Sequence, residues 1–195
     1  KDVLYCDPEN SLKRRATLKV LDILFFRLTT WFSPILPFTM EEVYLERFPE
    51  DGNSVHLLDI PSNEKDWYNP EYVNHWDKIR NVRRVVTGAI EVLRQDKVIG
   101  SSLEACPIIY IKDKELFDII KSVDMSEVCI TSSINVEFSP TSITDACFTL
   151  DDVPDVGVIC KTAQGKKCQR CWTLNLPIDK SGGDDLCDRG KQAVI

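Results

Sequence analysis

The stretch 69-NPEYVNHWDKIRNVRRVVTGAIEVLRQDKVIG-100 decides the fold. Its apolar residues recur at intervals of three and four, as they do along one face of an α-helix; they are Val73, Trp76, Ile79, Val82, Val86, Ala89, Ile90 and Leu93. Asn69 is a favourable N-cap, and Pro70 suits the first helical position because its missing N–H needs no partner there. The pattern predicts a helix to about Asp96, with Gly100 marking its end.

The same spacing predicts another long helix upstream, from the N-cap Ser11 to about Phe32, before Pro34. Its apolar stripe consists of Leu18, Leu21, Leu24, Phe25, Leu28, Trp31 and Phe32. A shorter helix is predicted from the cap Thr39, followed by two glutamates, to about Arg47. Two long antiparallel helices with a shorter one between them predict a helical bundle over residues 1–100.

The segments around these helices are less regular. Residues 49–69 are rich in Pro, Asn, Asp and Gly and predict a loop, with a short extended piece at 55–60. After Gly100, strands are predicted at 106–111, 127–139, 146–150 and 156–162, and a short helix at 115–123. They form a small α+β unit over 101–163. The tail, 164–195, has too little apolar content for its own core and needs a covalent or metal staple.

Composition places the chain among ordinary globular proteins. Of its 195 residues, 43% are hydrophobic and 28% are charged. Because no apolar run reaches about 20 residues, no membrane span is predicted. The first residue is lysine and no signal peptide precedes it, so we interpret the N-terminus as a domain boundary with a missing upstream part. Five scattered cysteines and one cluster favour reduced thiols and a cytoplasmic location.

The net charge of −7 is distributed unevenly along the chain. Residues 161–195 carry seven basic and four acidic side chains, whereas the preceding residues carry 17 basic and 27 acidic ones. A basic tail on an acidic body would direct RNA to one face, although ordinary surface variation would give the same asymmetry.

The cysteine cluster of the tail is spaced like a metal site. Cys168-x2-Cys171 forms a knuckle that offers two thiolates to tetrahedral zinc, and Cys187 would supply a third. Gly190 stands where a four-cysteine ribbon has its fourth ligand. The spacing is compatible with a three-cysteine structural zinc, with a site that has lost its metal, or with a redox dithiol, although no βαβ pattern supports the last.

Two groups of residues are candidates for RNA contact. Lys166, Lys167, Arg170 and Trp172 surround the knuckle, where cations can contact phosphates and an indole can stack on an unpaired base. Trp172 could equally cover the metal knuckle. Arg80, Arg83 and Arg84 lie on one face of the predicted helix, which could also be an ordinary solvated face. No catalytic nucleophile arrangement and no glycine-rich phosphate loop are present in the sequence.

Ordered strings along the chain resemble isoleucyl-tRNA synthetases, in particular their C-terminal region. They are KDVLYCD, RRATLKVLDILFFRLTTWFSPILPFTMEEVY, SVHLLDIP, WDKIRNVRRVVTGAIEVLRQDKVIGSSLEA and KCQRCW. PILPFTMEE alone would also suit valyl or leucyl relatives, which share the anticodon-binding bundle. The block ending in IGSSLEA and the late CxRCW are the more specific elements.

The resemblance implies a class I synthetase whose catalytic domain, with ATP, and whose editing domain belong to the same polypeptide upstream. This fragment would not be catalytic; it would hold the anticodon stem-loop of isoleucine tRNA, with no membrane or DNA partner. Carried over, Cys168, Cys171 and Cys187 match zinc ligands, and Arg170 and Trp172 match CxRCW as anticodon contacts. The main rival from another class is a free-standing zinc-ribbon module that binds proteins.

Overall fold

The computed structural model describes residues 2–62, 67–141, 143–175 and 185–194. Its residues form two compact units, 1–68 with 192–195, and 69–191. Helices predominate in the described residues, and a small mixed sheet lies in the second unit. None of the described helices is long and apolar enough to cross a membrane.

The first unit is helical. It contains α1 (Asp2–Cys6), α2 (Leu12–Phe32), α3 (Pro37–Arg47) and a 3-10 turn at Val55–Leu57. The predicted cap of α2 is confirmed, because the Ser11 side chain accepts a hydrogen bond from the Arg14 N–H at 3.1 Å.

Two local predictions in this unit are wrong. α3 begins at Pro37 and not after Thr39, since the proline supplies the backbone angle of a first helical residue. The predicted extended piece at 55–60 instead starts with the 3-10 turn. The Glu41 carboxylate accepts from the Val55 N–H at 2.9 Å and from the Ser54 hydroxyl at 3.0 Å, which holds this turn against α3.

The apolar stripe predicted for α2 is not the face that this chain buries. Leu24 and Trp31 remain 44% and 43% exposed, whereas Arg27 is 8% exposed and Thr29 and Thr30 are buried. The two threonine hydroxyls donate to the Phe25 and Phe26 carbonyls at 2.7 Å, so their burial leaves no hydroxyl unsatisfied. α2 is apolar on several sides, and the pattern alone does not show which side is covered.

The second unit begins with α4 (Pro70–Gln95), as predicted. The Asn69 side chain accepts from the Tyr72 N–H at 3.1 Å, which confirms the predicted cap. Asp96 is the C-cap of this helix, and Lys97 takes the left-handed conformation with φ 57°. Gly100 therefore lies beyond the turn that ends α4 and does not form it.

A four-stranded sheet follows α4. Its strands are β1 (Ala105–Ile111), β2 (Asn135–Phe138), β3 (Phe148–Leu150) and β4 (Val153–Thr162), in the order β2-β1-β4-β3. β1 and β2 are parallel, and the other pairs are antiparallel. Between β1 and β2 lie α5 (Lys114–Lys121) and α6 (Met125–Cys129).

The strand predicted at 127–139 is correct only in its last part. The Asp124 carboxylate accepts from the Ser126 and Glu127 N–H groups and caps α6, which occupies the first part of that stretch. The helix ends where Ile130 takes the left-handed conformation, with φ 58°.

The core of the second unit lies between α4 and the sheet. Val82, Val85 and Val86 of α4 are fully buried and belong to one cluster with Ile109 and Ile111 of β1. Because β1 alternates buried and half-buried residues, one of its faces is turned to this core.

Gly88 of α4 lies against the ring of Phe148 in β3. A methyl group at this position would lie 2.5 Å from the Phe148 ring, so only glycine fits without movement of the ring.

The compact units divide the chain differently from the predicted division into 1–100, 101–163 and 164–195. The boundary falls between residues 68 and 69 because α4 buries its valines with the sheet. The tail contributes β5 (Lys166–Lys167), β6 (Leu174–Asn175) and α7 (Asp188–Gln192). Residues 176–184 of the predicted tail lie outside the described residues.

Candidate metal and RNA-binding site

The three cysteines of the tail lie together. The sulfur atoms of Cys168, Cys171 and Cys187 are all within 4.8 Å of one another, and those of Cys171 and Cys187 are 3.5 Å apart. Sulfur ligands about 2.3 Å from a tetrahedral zinc are separated by about 3.8 Å. The three thiols therefore fit three corners of a zinc site.

The knuckle is held by its own backbone. The Cys168 N–H donates to the Thr173 carbonyl at 3.0 Å, and the Trp172 N–H donates to the Cys168 carbonyl at 3.0 Å. Trp172 closes this turn in the left-handed conformation, with φ 64°. Since the first and second cysteines are buried, the turn directs both thiols inwards and leaves the residues between and after them at the surface.

The charge state of the cluster also suits a metal. Burial raises the pKa of Cys168, but hydrogen bonds from the backbone N–H groups of Cys187, Cys171 and Arg170 outweigh it and lower that pKa to about 7. Burial, together with hydrogen bonds to its neighbouring thiols, raises the pKa of Cys187 to about 12. The cluster by itself stabilises one thiolate, so a second and third would need a cation.

Gly190 lies beside two of the three thiols. A Cβ atom built on it would be 3.3 Å from the Cys168 sulfur and 3.6 Å from the Cys187 sulfur. Glycine offers no donor atom at this position. Among the residues that the structure describes, no other His, Cys, Asp or Glu joins this group.

The residues predicted to contact RNA in the tail surround the knuckle. Lys166 and Lys167 form the exposed strand β5, and Arg170 is exposed between the two knuckle cysteines. Trp172 is 56% exposed, and the Lys167 ammonium lies 5.1 Å from the centroid of its ring. More than half of the indole surface is therefore accessible to a ligand, while the rest is in contact with the protein.

The three arginines of α4 are engaged within the second unit. Arg80 pairs with Asp77 and Arg84 with Asp152, both at 2.8 Å, while the Arg83 Nε donates to the Val128 carbonyl at 3.0 Å. Arg83 and Arg84 connect α4 to α6 and to the turn between β3 and β4. All three remain exposed, but a phosphate would compete with a carboxylate for Arg80 and Arg84.

Sequence spacing missed a small cleft next to Trp172. It has a volume of about 180 Å³ and is lined by Ser101, Leu103, Glu104, Lys167, Trp172 and Leu174. Ser132 fixes its two walls, because its hydroxyl donates to the Leu103 carbonyl at 2.5 Å and accepts from the Leu174 N–H at 2.7 Å. The fold brings these residues together from segments about 70 positions apart in the chain, so no local sequence motif predicts the cleft.

Comparison with known proteins agrees with this architecture. Residues 1–110 match the family described as the anticodon-binding domain of tRNA ligase, and the chain belongs to that family. Over its whole length it is 47% identical to the isoleucine--tRNA ligase of Ruegeria pomeroyi, of which it covers 20%. It is 49% identical to the isoleucine--tRNA ligase of Bartonella henselae over 91% of the chain and 18% of that relative.

These findings confirm the resemblance to isoleucyl enzymes that the sequence strings indicated. The isoleucine--tRNA ligase of Brucella abortus is 47% identical over 178 residues. The chain spans about a fifth of the length of the curated relatives that it matches.

Proposed function

We propose that this chain recognises the anticodon stem-loop of isoleucine tRNA on behalf of a longer isoleucine--tRNA ligase. ATP, amino-acid activation and editing belong, in this proposal, to domains of the same polypeptide outside these residues. The helices within the matched residues 1–110 act as the anticodon-binding part, and 164–195 acts as a zinc-ribbon-like extension of the RNA-binding surface. The carrying observation is that an exposed indole and three cations surround one cysteine knuckle in a chain of the anticodon-binding family.

Each side chain has a distinct task. Lys166, Lys167 and Arg170 neutralise phosphates, which gives binding its strength and its dependence on salt. Trp172 offers a face on which an unpaired base can stack, worth about 1–3 kcal/mol. Single-stranded loops are the parts of RNA whose bases are free for such contacts, and an anticodon is one.

Zinc would be held by Cys168, Cys171 and Cys187. When bound, it would compensate the negative charge of the thiolates and connect the knuckle to α7. The knuckle presents Arg170 and Trp172 on its outer side. A metal that makes this turn rigid would therefore also hold these two side chains in place for RNA contact. The role of the metal is structural in this proposal, and the cluster carries no histidine or glutamate that could serve hydrolytic chemistry among the described residues.

The arginines of α4 make a secondary contact in this proposal. Arg80 and Arg84 already have carboxylate partners, with which a phosphate would have to compete, so their gain on meeting a phosphate is small.

The test is a titration of a labelled anticodon stem-loop of isoleucine tRNA by fluorescence anisotropy at several salt concentrations. Affinity should fall steeply with salt, and Arg170→Gln should reduce the slope of log affinity against log salt by about one. Arg94→Gln, which removes an equal charge at the end of α4, is the control and should leave the slope unchanged.

Equal affinity for stem-loops of unrelated tRNAs would contradict the proposal. If Arg170→Gln left both affinity and slope unchanged, a protein-binding zinc ribbon would become the better interpretation.

A further inference from the structure

The cleft beside Trp172 combines features that suit one nucleobase. Leu103 and Leu174 supply apolar walls, the indole supplies a flat surface, and Lys167 supplies a positive charge over that ring. At about 180 Å³ the cleft is smaller than the 300–1,000 Å³ typical of sites for drug-sized ligands. A single flat ring with its phosphate near Lys167 matches this size and chemistry.

The backbone at Trp172 is strained, although the turn that it closes does not require an indole. A bulky residue with φ 64° is an outlier, and such strain is commonly kept where a side chain serves a ligand. Glycine adopts this conformation without a steric penalty. The chain nevertheless carries its largest side chain here and leaves it 56% exposed, next to the cleft.

Glu104 is the acidic residue among those that line the cleft. Its Oε2 accepts from the Gly100 N–H at 2.8 Å, which fixes the side chain in the turn that enters β1. No hydrogen bond from the described residues reaches its Oε1. An ionised carboxylate only accepts hydrogen bonds, so it favours a base edge that carries an amino group.

We infer that this cleft is the subsite for one unpaired base of the bound RNA loop and that Glu104 selects a base with an exocyclic amine. The inference rests on the proposed function. Cytosine offers its N4 amino group to the carboxylate, whereas uracil presents a carbonyl oxygen at the same place and is repelled. The two pyrimidines have the same ring size, so stacking on Trp172 differs little between them.

The experiment uses the 195-residue chain and two RNA hairpins with identical stems, whose loops of equal length contain only cytidine or only uridine. The unaltered chain should bind the cytidine loop about tenfold more tightly, the value of one hydrogen bond to a charged acceptor. Glu104→Gln should reverse the preference, because an amide that keeps its oxygen on the Gly100 N–H offers its amino group to the base, and that group can donate to uracil but cannot accept from cytosine.

Two features keep the result interpretable. Glutamine retains an oxygen for the Gly100 N–H, so the turn should persist, and circular dichroism checks it. Glu115→Gln, an exposed glutamate of α5 outside the cleft, removes the same charge and should preserve the tenfold preference.

The outcomes separate the inference from the proposed function. Equal binding of the two loops by the unaltered chain, or a preference that Glu104→Gln leaves intact, would overturn the subsite. Failure to bind either hairpin or the anticodon stem-loop would overturn the proposed function, and the subsite with it.

Discussion

Replacing Gly190 by cysteine should complete a four-thiolate zinc site. A Cβ at this position lies 3.3 Å from the Cys168 sulfur, so the neighbouring atoms must yield by only a few tenths of an ångström. The replaced glycine also lies inside the short helix α7, where glycine is less favourable than alanine by about 0.5–1 kcal/mol. The new thiol would lie beside those of Cys168 and Cys187 and could serve as a fourth ligand.

The gain in affinity follows from the value of one ligand. Structural zinc sites with four ligands bind with about 10–16 kcal/mol, or roughly 2.5–4 kcal/mol for each ligand. At about 1.4 kcal/mol for each tenfold change, a fourth thiolate is worth roughly 10²–10³-fold in zinc affinity. The close contact with the Cys168 sulfur places the expectation near the lower limit, about a hundredfold.

The assay is competition for zinc against a chromophoric chelator, with metal content measured by elemental analysis. The unaltered chain should hold zinc at or below one equivalent. Gly190→Ala is the matched control, because it adds the same Cβ atom and removes the same glycine without adding a donor. If Gly190→Cys bound zinc no more tightly than Gly190→Ala, position 190 would not face the metal and the assignment of the site would fail.

Three further expectations follow from the structure. Gly88→Ala places a methyl group 2.5 Å from the Phe148 ring and should lower the free energy of unfolding by about 1–3 kcal/mol in urea titrations; an unchanged midpoint would contradict the close packing. Cys168→Ser should remove zinc and speed hydrogen exchange in the tail while α4 stays protected, and loss of protection throughout would show that the two parts fold together. Burial raises the pKa of Cys129 to about 11, so its thiol stays protonated at pH 8. It should therefore react with iodoacetamide more slowly than free cysteine does, and the rate should rise as the pH approaches 11. A rate equal to that of free cysteine at pH 8 would refute the burial of Cys129.

The starts of α2 and α4 were predictable from the sequence because they depend on neighbours in the chain. Ser11 and Asn69 each satisfy a backbone N–H three residues later, and this chemistry needs no tertiary information. The α2 core stripe was not predictable, because apolar residues lie on several sides of that helix and only contacts decide which side is covered. The strand predicted from residue 127 onwards was wrong in its first part, because the Asp124 side chain caps the helix α6 there.

Some features of the candidate site were also predictable from the sequence, and others were not. The cysteine spacing predicted three clustered thiols and a fourth position at Gly190, since ligands of a knuckle are close in sequence. The cleft could not be read from spacing, because Glu104 and Trp172 meet only when β1 and the tail are folded. The partners of the α4 arginines, such as Asp152, are also distant in sequence, so the exposed run resembled an unpaired cationic face.

The role of the tail in binding an RNA loop is tested most directly by Trp172→Gly. The glycine should relieve the strain at φ 64° and leave the free energy of unfolding equal or higher, while removing the surface on which a base stacks. Affinity for the anticodon stem-loop of isoleucine tRNA should then fall by about 10- to 100-fold. Unchanged affinity in a folded Trp172→Gly variant would contradict the account.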